Sequence, residues 1–193
     1  MATTPNPDRR NERARRAILD AALELCSTQT YAGLTMEGIA KSAGVGKQTI
    51  YRWWPSKAAI LLEAITERAD QSLDFPDTGD LLADLRGQMY ELVRLFTDPM
   101  FGAYGRGLIV AAQTDPAISA ALLDTLIRPR VQLCIERLAK AQQAGEIRAD
   151  VDLAVVVELL YAPLYYRMLL HTAPVSSEQV DSVISLVMSG IRP

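Results

Sequence analysis

The sequence contains little of the side-chain chemistry on which most enzymes and metal proteins depend. It has one histidine and two cysteines among 193 residues. No motif places a serine, a cysteine or a paired carboxylate to act with His171, so neither a catalytic triad nor a histidine-based metal site is expected. Cys26 and Cys134 have no CxxC or Cys/His spacing and are expected to be buried as small apolar side chains. We therefore predict that the protein is not an enzyme and has no metal or cofactor.

Long uninterrupted apolar runs are also missing. The segment 153–166, LAVVVELLYAPLYY, is interrupted by Glu158 and Pro163 and is too short to span a bilayer. The basic N-terminus has neither the apolar segment nor the small-residue cleavage site of a secretory signal. Hydrophobic residues make up 49% and charged residues 22%, as in ordinary globular proteins. We expect a soluble, cytoplasmic protein that does not contact a membrane.

The net charge of −3 conceals two parts of opposite sign. Residues 1–57 contain nine Lys and Arg against five Asp and Glu, a net charge of +4. The remaining residues contain eleven against eighteen, a net charge of −7. A basic segment joined to an acidic body is typical of a polyanion-binding module attached to a domain with another function, although accidental clustering gives the same counts.

Apolar spacing indicates helices along nearly the whole chain. The steps of three and one residues from Ala14 to Leu25 and from Val180 to Ile191 each form one stripe on a helix. No segment alternates convincingly with a period of two. We predict an all-α fold of about nine helices. Their approximate ranges are 14–25, 35–43, 47–54, 56–73, 80–97, 100–113, 117–143, 152–171 and 177–190.

The chain divides naturally near its fourth helix. Pro55 ends the third helix, and Ser56 is placed to cap the fourth. The segment DFPDTGD, residues 74–80, is rich in turn formers and acids and is the clearest linker. Pro129 lies inside a predicted helix and should kink or divide it. We predict an N-terminal domain at 1–56 and a larger helical domain at 57–193.

The second and third helices match a helix-turn-helix. The turn must be tight, and Ala43, Gly44 and Val45 supply small residues and a glycine there. Apolar side chains must then hold the helices at a fixed angle. The inward-facing set is Ile39, Ala40, Ile50 and Trp54.

The exposed residues of the third helix have the chemistry of DNA recognition. Lys47, Gln48 and Thr49 lie in its first turn, the part that enters deepest when such a helix enters the major groove. Lysine suits guanine acceptors, glutamine suits adenine, and threonine offers a hydroxyl and a methyl group. One turn later come Tyr51, Arg52 and Trp53, at the depth of the phosphates and sugars, although the role of Trp53 is not fixed.

The run LTMEGIAKSAGVGKQTIYRWWPSKAAIL, Leu34 to Leu61, resembles the DNA-binding domain of TetR-type transcriptional repressors. The resemblance covers about 50 residues once the first helix is included. At matching positions it implies phosphate contacts for Thr35, Tyr51 and Lys57 and base contacts for Lys47, Gln48 and Thr49. It also implies that Trp54 packs inward. Arg10, Arg13 and Arg16 form either a DNA-contacting arm or a solvated face.

The family resemblance also implies a homodimer built from the last two helices of each subunit. Two half-sites about one helical turn apart must be bound together, which requires an adhesive surface. The expected dimer contacts are Val156, Leu160, Val180, Val183, Ile184 and Val187. Completing the core of the single chain is the alternative role for these helices.

Aromatic and sulfur side chains in the larger domain suit a pocket for a small, largely apolar effector. The expected lining residues are Met89, Phe96, Phe101, Tyr104, Tyr161, Tyr165 and Met168. The same residues could instead fill an ordinary core.

The partners predicted from the sequence are therefore a double-stranded operator, a small-molecule effector and a second copy of the chain. The function predicted is a repressor that binds a palindromic operator and releases it when the effector binds. Constitutive DNA binding or activation is an alternative, as is a helical carrier or enzyme.

Overall fold

The computed structural model describes residues 7–29, 31–69 and 75–193, and all regular structure in these ranges is helical. The ranges contain ten α-helices and one short 3₁₀ turn. Two of the helices continue into one another through 116–143, so that nine separate helical segments result. The all-α prediction of about nine helices is confirmed.

The N-terminal helices begin and end where local residues require it. The Thr35 hydroxyl oxygen accepts from the Gly38 N–H at 3.0 Å and caps the second helix, as predicted. The Ser56 hydroxyl does the same for Ala59 at 3.3 Å. Any continuation of the fourth helix past residue 69 lies outside the described residues. The elements are α1 (Pro7–Thr28), the 3₁₀ turn (Tyr31–Gly33), α2 (Met36–Ser42), α3 (Lys47–Trp53) and α4 (Lys57–Ala69).

The remaining six helices are α5 (Leu81–Thr97), α6 (Pro99–Thr114), α7 (Pro116–Leu122), α8 (Arg128–Gln143), α9 (Leu153–Leu170) and α10 (Ser177–Ile191). Side chains cap several of them. Asp80, Asp115, Asp152 and Ser176 accept from backbone N–H groups at the starts of α5, α7, α9 and α10.

Pro129 has the effect expected from the sequence. It is the second residue of α8, and a wider π-helical segment, Leu123–Ile127, joins it to α7. Proline has no N–H to donate to the carbonyl of Thr125, four residues earlier, so the α-helical ladder is interrupted at this place. The segment 117–143 is therefore a continuous but divided helix.

The structure divides into two compact units whose limits differ from the predicted domains. The first unit combines the described residues up to Arg68 with Pro99–Ala120. The second combines the described residues of 69–98 with Ala121–Pro193. α4 and α6 both belong to the unit that contains α1–α3, so this division does not follow the predicted boundary after residue 56, which stays a prediction.

In the first unit, α1 packs against both α2 and α6. The predicted stripe on α1 is correct but too narrow. Leu19, Leu23 and Cys26 are also buried, outside the stripe that the local spacing indicated. Ile39, Ala40, Ile50 and Trp54 are all buried, as the helix-turn-helix prediction required.

In the second unit, α10 packs against α5 and α9, and α8 packs against α9. The apolar core contains one buried ion pair: Arg137 Nε donates to Asp84 Oδ2 at 2.7 Å. Thr78 also donates to Asp84, from its hydroxyl at 2.7 Å and from its backbone N–H at 3.2 Å. Burial raises the pKa of Asp84, but these donors outweigh it and leave the pKa below its usual value. The carboxylate is therefore charged and fully partnered.

Helix α9 is unusual because it is apolar yet largely exposed. It has 18 residues and, by length and composition alone, could cross a membrane, but only 28% of it is buried in this chain. One such helix is weak evidence, since helices of soluble proteins pass the same test. The helix is continuous through Glu158 and Pro163, in agreement with the helix predicted over 152–171. Its exposed face therefore needs an explanation other than core packing.

Candidate nucleic-acid interface

The turn between α2 and α3 has the geometry that a helix-turn-helix needs. Gly44 has a φ of +66°, in the left-handed region that favours glycine. The Val45 N–H donates to the Ala40 carbonyl at 3.0 Å, and the Gly44 N–H donates to the Lys41 carbonyl at 3.3 Å. These two bonds close the end of α2 and fix the direction in which the chain enters α3.

The two faces of α3 differ as the sequence predicted. Ile50 is completely buried, and Trp54, which follows the helix, is 3% exposed. The side chains of Lys47, Gln48, Tyr51 and Arg52 are exposed, and Thr49 is partly so. Residues spaced by three and four positions share one face of a helix. The structure therefore presents one polar, cationic surface on α3, which we call the α3 face.

Lys47 and Thr35 are both accessible for contacts with DNA. The Lys47 ammonium lies 3.4 Å from a carboxylate oxygen of Glu37, with both side chains at least half exposed. The pKa of Glu37 is lowered by a hydrogen bond from its own backbone and, next, by Lys47. Such an exposed pair is weak, so a phosphate or base can displace it. The Thr35 oxygen accepts the capping bond, which leaves its O–H free to act as a donor.

A polar network that connects the end of α3 to α1 and α4 was not predicted from the sequence. Glu63 of α4 accepts from Trp54 Nε1 at 2.6 Å and from Arg15 Nε at 2.6 Å. Arg15 also contacts Glu67 and, at 3.2 Å, Glu12. The hydrogen bond with Glu67, ahead of those with Glu63, raises the pKa of Arg15. This Glu63 network joins α1, the end of α3 and α4. Arg15 therefore has a structural role, in contrast to the DNA contacts considered for Arg13 and Arg16.

Trp53 packs against its neighbour. Its ring meets that of Trp54 edge to face, with centroids 5.5 Å apart, and it is partly exposed. It lines a shallow surface groove with Asn11, Glu12 and Arg15 of α1. Trp53 therefore supports the end of α3, and its contact with DNA stays a prediction.

The basic residues near the N-terminus lie on a helix. α1 begins at Pro7, earlier than predicted, so Arg13 and Arg16 are exposed side chains of its first turns. The side chain of Arg10 lies outside the described residues.

Lys57 is held differently from the other predicted contacts. Its ammonium donates to the carbonyls of Tyr31 at 2.8 Å and Leu34 at 2.7 Å. It also lies 4.4 Å from the centroid of the Tyr31 ring. The side chain is part-buried and directed into the protein, whereas the resemblance had implied that it contacts a phosphate.

Two family models together match most of the chain. Residues 18–64 match the model described as "Bacterial regulatory proteins, tetR family", and residues 75–187 match "Tetracyclin repressor-like, C-terminal domain". The second match alone covers more than half of the sequence. The chain belongs to the TetR family. It is a DNA-binding transcriptional regulator, and α2 and α3 both lie within the segment that matches the N-terminal model.

Similar proteins agree with the TetR assignment over nearly the full length. The chain is 31% identical to the "Uncharacterized HTH-type transcriptional regulator YdeS" of Bacillus subtilis (strain 168), across 95% of this chain and 92% of that protein. It is 30% identical to the "DNA-binding transcriptional repressor TetR" of Mycobacteroides abscessus, across 83% and 85%. A crystal structure of the TetR family regulator SCO0332 is 37% identical, with a TM-score of 0.75 and coverage of 93% and 99%. These relatives are transcriptional regulators, not enzymes.

The side chains predicted to line a ligand pocket are divided between the first and the second unit. Phe101 and Tyr104 lie on α6 in the first unit. The others lie on α5 and α9 in the second unit, where Met89 and Met168 are buried. The residues of this second group are Met89, Phe96, Tyr161, Tyr165 and Met168. The pocket as a whole therefore stays a prediction.

Three of these residues form a polar and aromatic group between α5 and α9. The Phe96 and Tyr165 rings meet edge to face at 5.1 Å. The Tyr161 hydroxyl donates to Gln88 Oε1 and lies 4.0 Å from Cys134 Sγ. Burial raises the pKa of both tyrosines. Gln88 is buried and was missed, because nothing in its local sequence distinguishes it from a surface glutamine.

Most of the predicted dimer contacts are buried within this chain. Val156, Leu160, Val180 and Ile184 are 1% exposed or less and belong to the core of the second unit. Side chains buried in the single chain cannot form a surface for a second copy. Val183 and Val187 are partly buried against the same core. An apolar stripe shows which face is buried but not what covers it, so the sequence left both roles open for these helices.

Proposed function

We propose that this regulator is a repressor that binds a palindromic operator as a homodimer and releases it when a small, largely apolar effector binds. The single observation that carries the proposal is the α3 face, which exposes Lys47, Gln48, Tyr51 and Arg52 beside a buried Ile50. A helix of this kind places side chains against base edges in the major groove. The name of the M. abscessus relative supports repression.

The α3 face suggests a division of roles. We assign Lys47, Gln48 and Thr49 to base edges, because they lie in the first turn of the helix. Tyr51 and Arg52 lie one turn later, where hydroxyl and guanidinium groups meet phosphates. The remaining predicted contacts, Thr35 with a phosphate and Trp53 with the sugar-phosphate backbone, are part of the same proposal. We propose that the protein acts in the cytoplasm, where its operator lies.

The homodimer is proposed to form through the exposed apolar face of α9 and α10. Val155, Leu159, Tyr166 and Leu170 follow one another at spacings of four, seven and four along α9, which places them on one side. On α10, Leu186 is 73% exposed. Large apolar side chains exposed in this way indicate a protein–protein contact. A second copy is the proposed occupant because two half-sites must be bound together.

The effector is proposed to bind the second unit near the rings of Phe96, Tyr161 and Tyr165. Rings with a few hydroxyl and amide groups suit a mainly apolar molecule with one or two polar atoms. A "Flavonoid-responsive Regulator FrrA" and a "FadR from Bacillus subtilis in complex with stearoyl-CoA" share the fold at 20% identity. The effector would act by binding more tightly to a conformation that does not fit the operator.

The DNA part of the proposal is tested by selecting duplexes from a random pool and measuring their affinity by mobility shift. We expect a palindrome whose half-sites lie about 34–36 Å apart. Gln48→Ala should relax the preference at one position of each half-site by about 1–3 kcal/mol. The control is Gln132→Ala, an exposed glutamine on α8 that contacts Glu136. Selection of no duplex above non-specific binding would refute the proposal.

The effector part is tested by mass spectrometry of small molecules released from the purified protein, followed by adding each one to the protein–operator complex. Release of the duplex supports the proposal. If none of them dissociates the complex, and promoter transcription in vitro does not fall when protein is added, the protein is a constitutive regulator or an activator.

A further inference from the structure

Lys57 occupies an unexpected place for a cation. It is the first residue of α4, and the N-terminus of a helix carries a partial positive charge that disfavours lysine. Its ammonium is directed back to two backbone carbonyls, those of Tyr31 and Leu34, at 2.8 and 2.7 Å. Hydrogen bonds from a charged donor are stronger than neutral ones. The contact with the Tyr31 ring at 4.4 Å adds a cation–π attraction.

Tyr31 also packs closely against α6. A Cβ atom added at Gly107 would lie 2.6 Å from Tyr31 Cβ and 3.0 Å from its Cγ, closer than atoms can approach. Gly107 is buried, so only glycine lets α6 approach the 3₁₀ turn so closely. At Gly105, two residues earlier on the same helix, an added Cβ would have nothing within 4 Å. The need for glycine is therefore specific to position 107.

These contacts form one continuous series inside the first unit. α6 touches Tyr31 at Gly107, Tyr31 and Leu34 hold the Lys57 ammonium, and Lys57 begins α4. Two turns further along α4, Glu63 accepts from Trp54 at the end of α3. A shift of the 3₁₀ turn would therefore move the start of α4 and, with it, the support of the recognition helix.

We propose that Lys57 is a positioning residue for the recognition helix, acting through Tyr31 and Gly107, and not a ligand of a DNA phosphate. This deepens the proposed function, on which it rests for the operator measurement. Removing the ammonium or displacing Tyr31 misplaces α4 and lowers operator affinity without removing a phosphate contact. Gly107 must therefore affect DNA binding even though it offers no side chain to the DNA.

The first experiment measures operator affinity at several salt concentrations, using a duplex selected by the wild-type protein. Lys57→Met should lower affinity by about tenfold, while the slope of log K against log salt stays unchanged. A lost phosphate contact would instead reduce that slope by about 0.9 for each contact, and a homodimer would lose two. Gly107→Ala should lower affinity in the same way, with the slope unchanged, and Gly105→Ala should bind as the wild type does.

The second experiment needs no DNA. The chain has two tryptophans, Trp53 and Trp54, and both lie at the end of α3. Their fluorescence therefore reports on the support of the recognition helix. Lys57→Met and Gly107→Ala should both shift the emission, and the double variant should shift it little further, because both changes act on the same series of contacts. Gly105→Ala should leave the spectrum unchanged, and circular dichroism checks that each variant is folded.

Several outcomes would overturn the inference. A reduced salt slope for Lys57→Met would make Lys57 a phosphate ligand. Wild-type emission and affinity in Gly107→Ala would show that α6 does not act through Tyr31. If Lys57→Met does not fold, the comparison of Gly107→Ala with Gly105→Ala still decides whether the contact between α6 and Tyr31 affects the recognition helix. Failure of the wild-type protein to select any duplex refutes the proposed function, and the fluorescence comparison still decides the series of contacts.

Discussion

Replacing Glu63 by glutamine tests the polar network below the recognition helix. Both carboxylate oxygens accept hydrogen bonds, one from Trp54 Nε1 and one from Arg15 Nε, each at 2.6 Å. In Glu63→Gln, one oxygen becomes an amide nitrogen, which donates. A donor then faces either the indole N–H or the guanidinium N–H. The variant loses one hydrogen bond and the attraction between the carboxylate and Arg15.

The expected loss follows from the burial of the site. Leaving a donor without a partner costs about 1–3 kcal/mol when the group is buried. The Glu63 side chain is 35% exposed, so water replaces part of the lost interaction. We therefore expect the free energy of unfolding to fall by about 1–2 kcal/mol.

Urea unfolding followed by tryptophan fluorescence measures this loss, because Trp53 and Trp54 are the two tryptophans of the chain. The midpoint should fall while the denaturant slope stays constant. The control is Glu67→Gln, one turn further along α4, which removes a contact with Arg15 but leaves the Trp54 hydrogen bond in place. Its loss should stay below about 1 kcal/mol, as for an exposed ion pair. Equal midpoints for wild type and Glu63→Gln, or equal losses in the two variants, would refute the reasoning.

Three further predictions concern the second unit. Leu159→Asp, on the exposed face of α9, should convert the proposed homodimer to a monomer in light scattering, because an unpaired carboxylate would be buried between subunits. Arg137→Met should lower the free energy of unfolding, measured in urea, by about 3–5 kcal/mol, because it leaves Asp84 charged and buried. Lys140→Met removes only an exposed ion pair and should lower it by less than about 1 kcal/mol. Burial raises the pKa of Cys134 to about 12, so at pH 8 alkylation followed by peptide mass spectrometry should modify it only after unfolding.

Much of the recognition unit could be predicted because its determinants are local. Thr35 and Ser56 cap their helices, Gly44 ends α2, and the spacing of Ile50 and Trp54 shows which side of α3 is buried. Each depends on residues within one or two turns. The family resemblance rests on the same local pattern, which is why it identified the family before any tertiary contact was known.

The features that the sequence could not predict share a different cause. Val156, Leu160, Val180 and Ile184 are as apolar as dimer contacts require, but they face the core of their own unit. An apolar helix with few charges gives little sign of which side another helix covers. The division into two units could not be predicted for a related reason, since Gly107 of α6 packs against Tyr31, 76 positions earlier in the chain. Neither the side of a helix that another helix covers nor the packing of two distant segments leaves a periodic signal in the sequence.

The sequence by itself determined the helices, their caps, the turn of the helix-turn-helix and the TetR family, because each follows from backbone conformation and side-chain spacing over a few residues. Only the tertiary structure decided that α6 joins the first unit, that Glu63 links α1 to α3, and that the Lys57 ammonium is directed at the carbonyls of Tyr31 and Leu34. These contacts join residues far apart in the chain. They depend on the relative placement of whole helices, which local spacing does not specify.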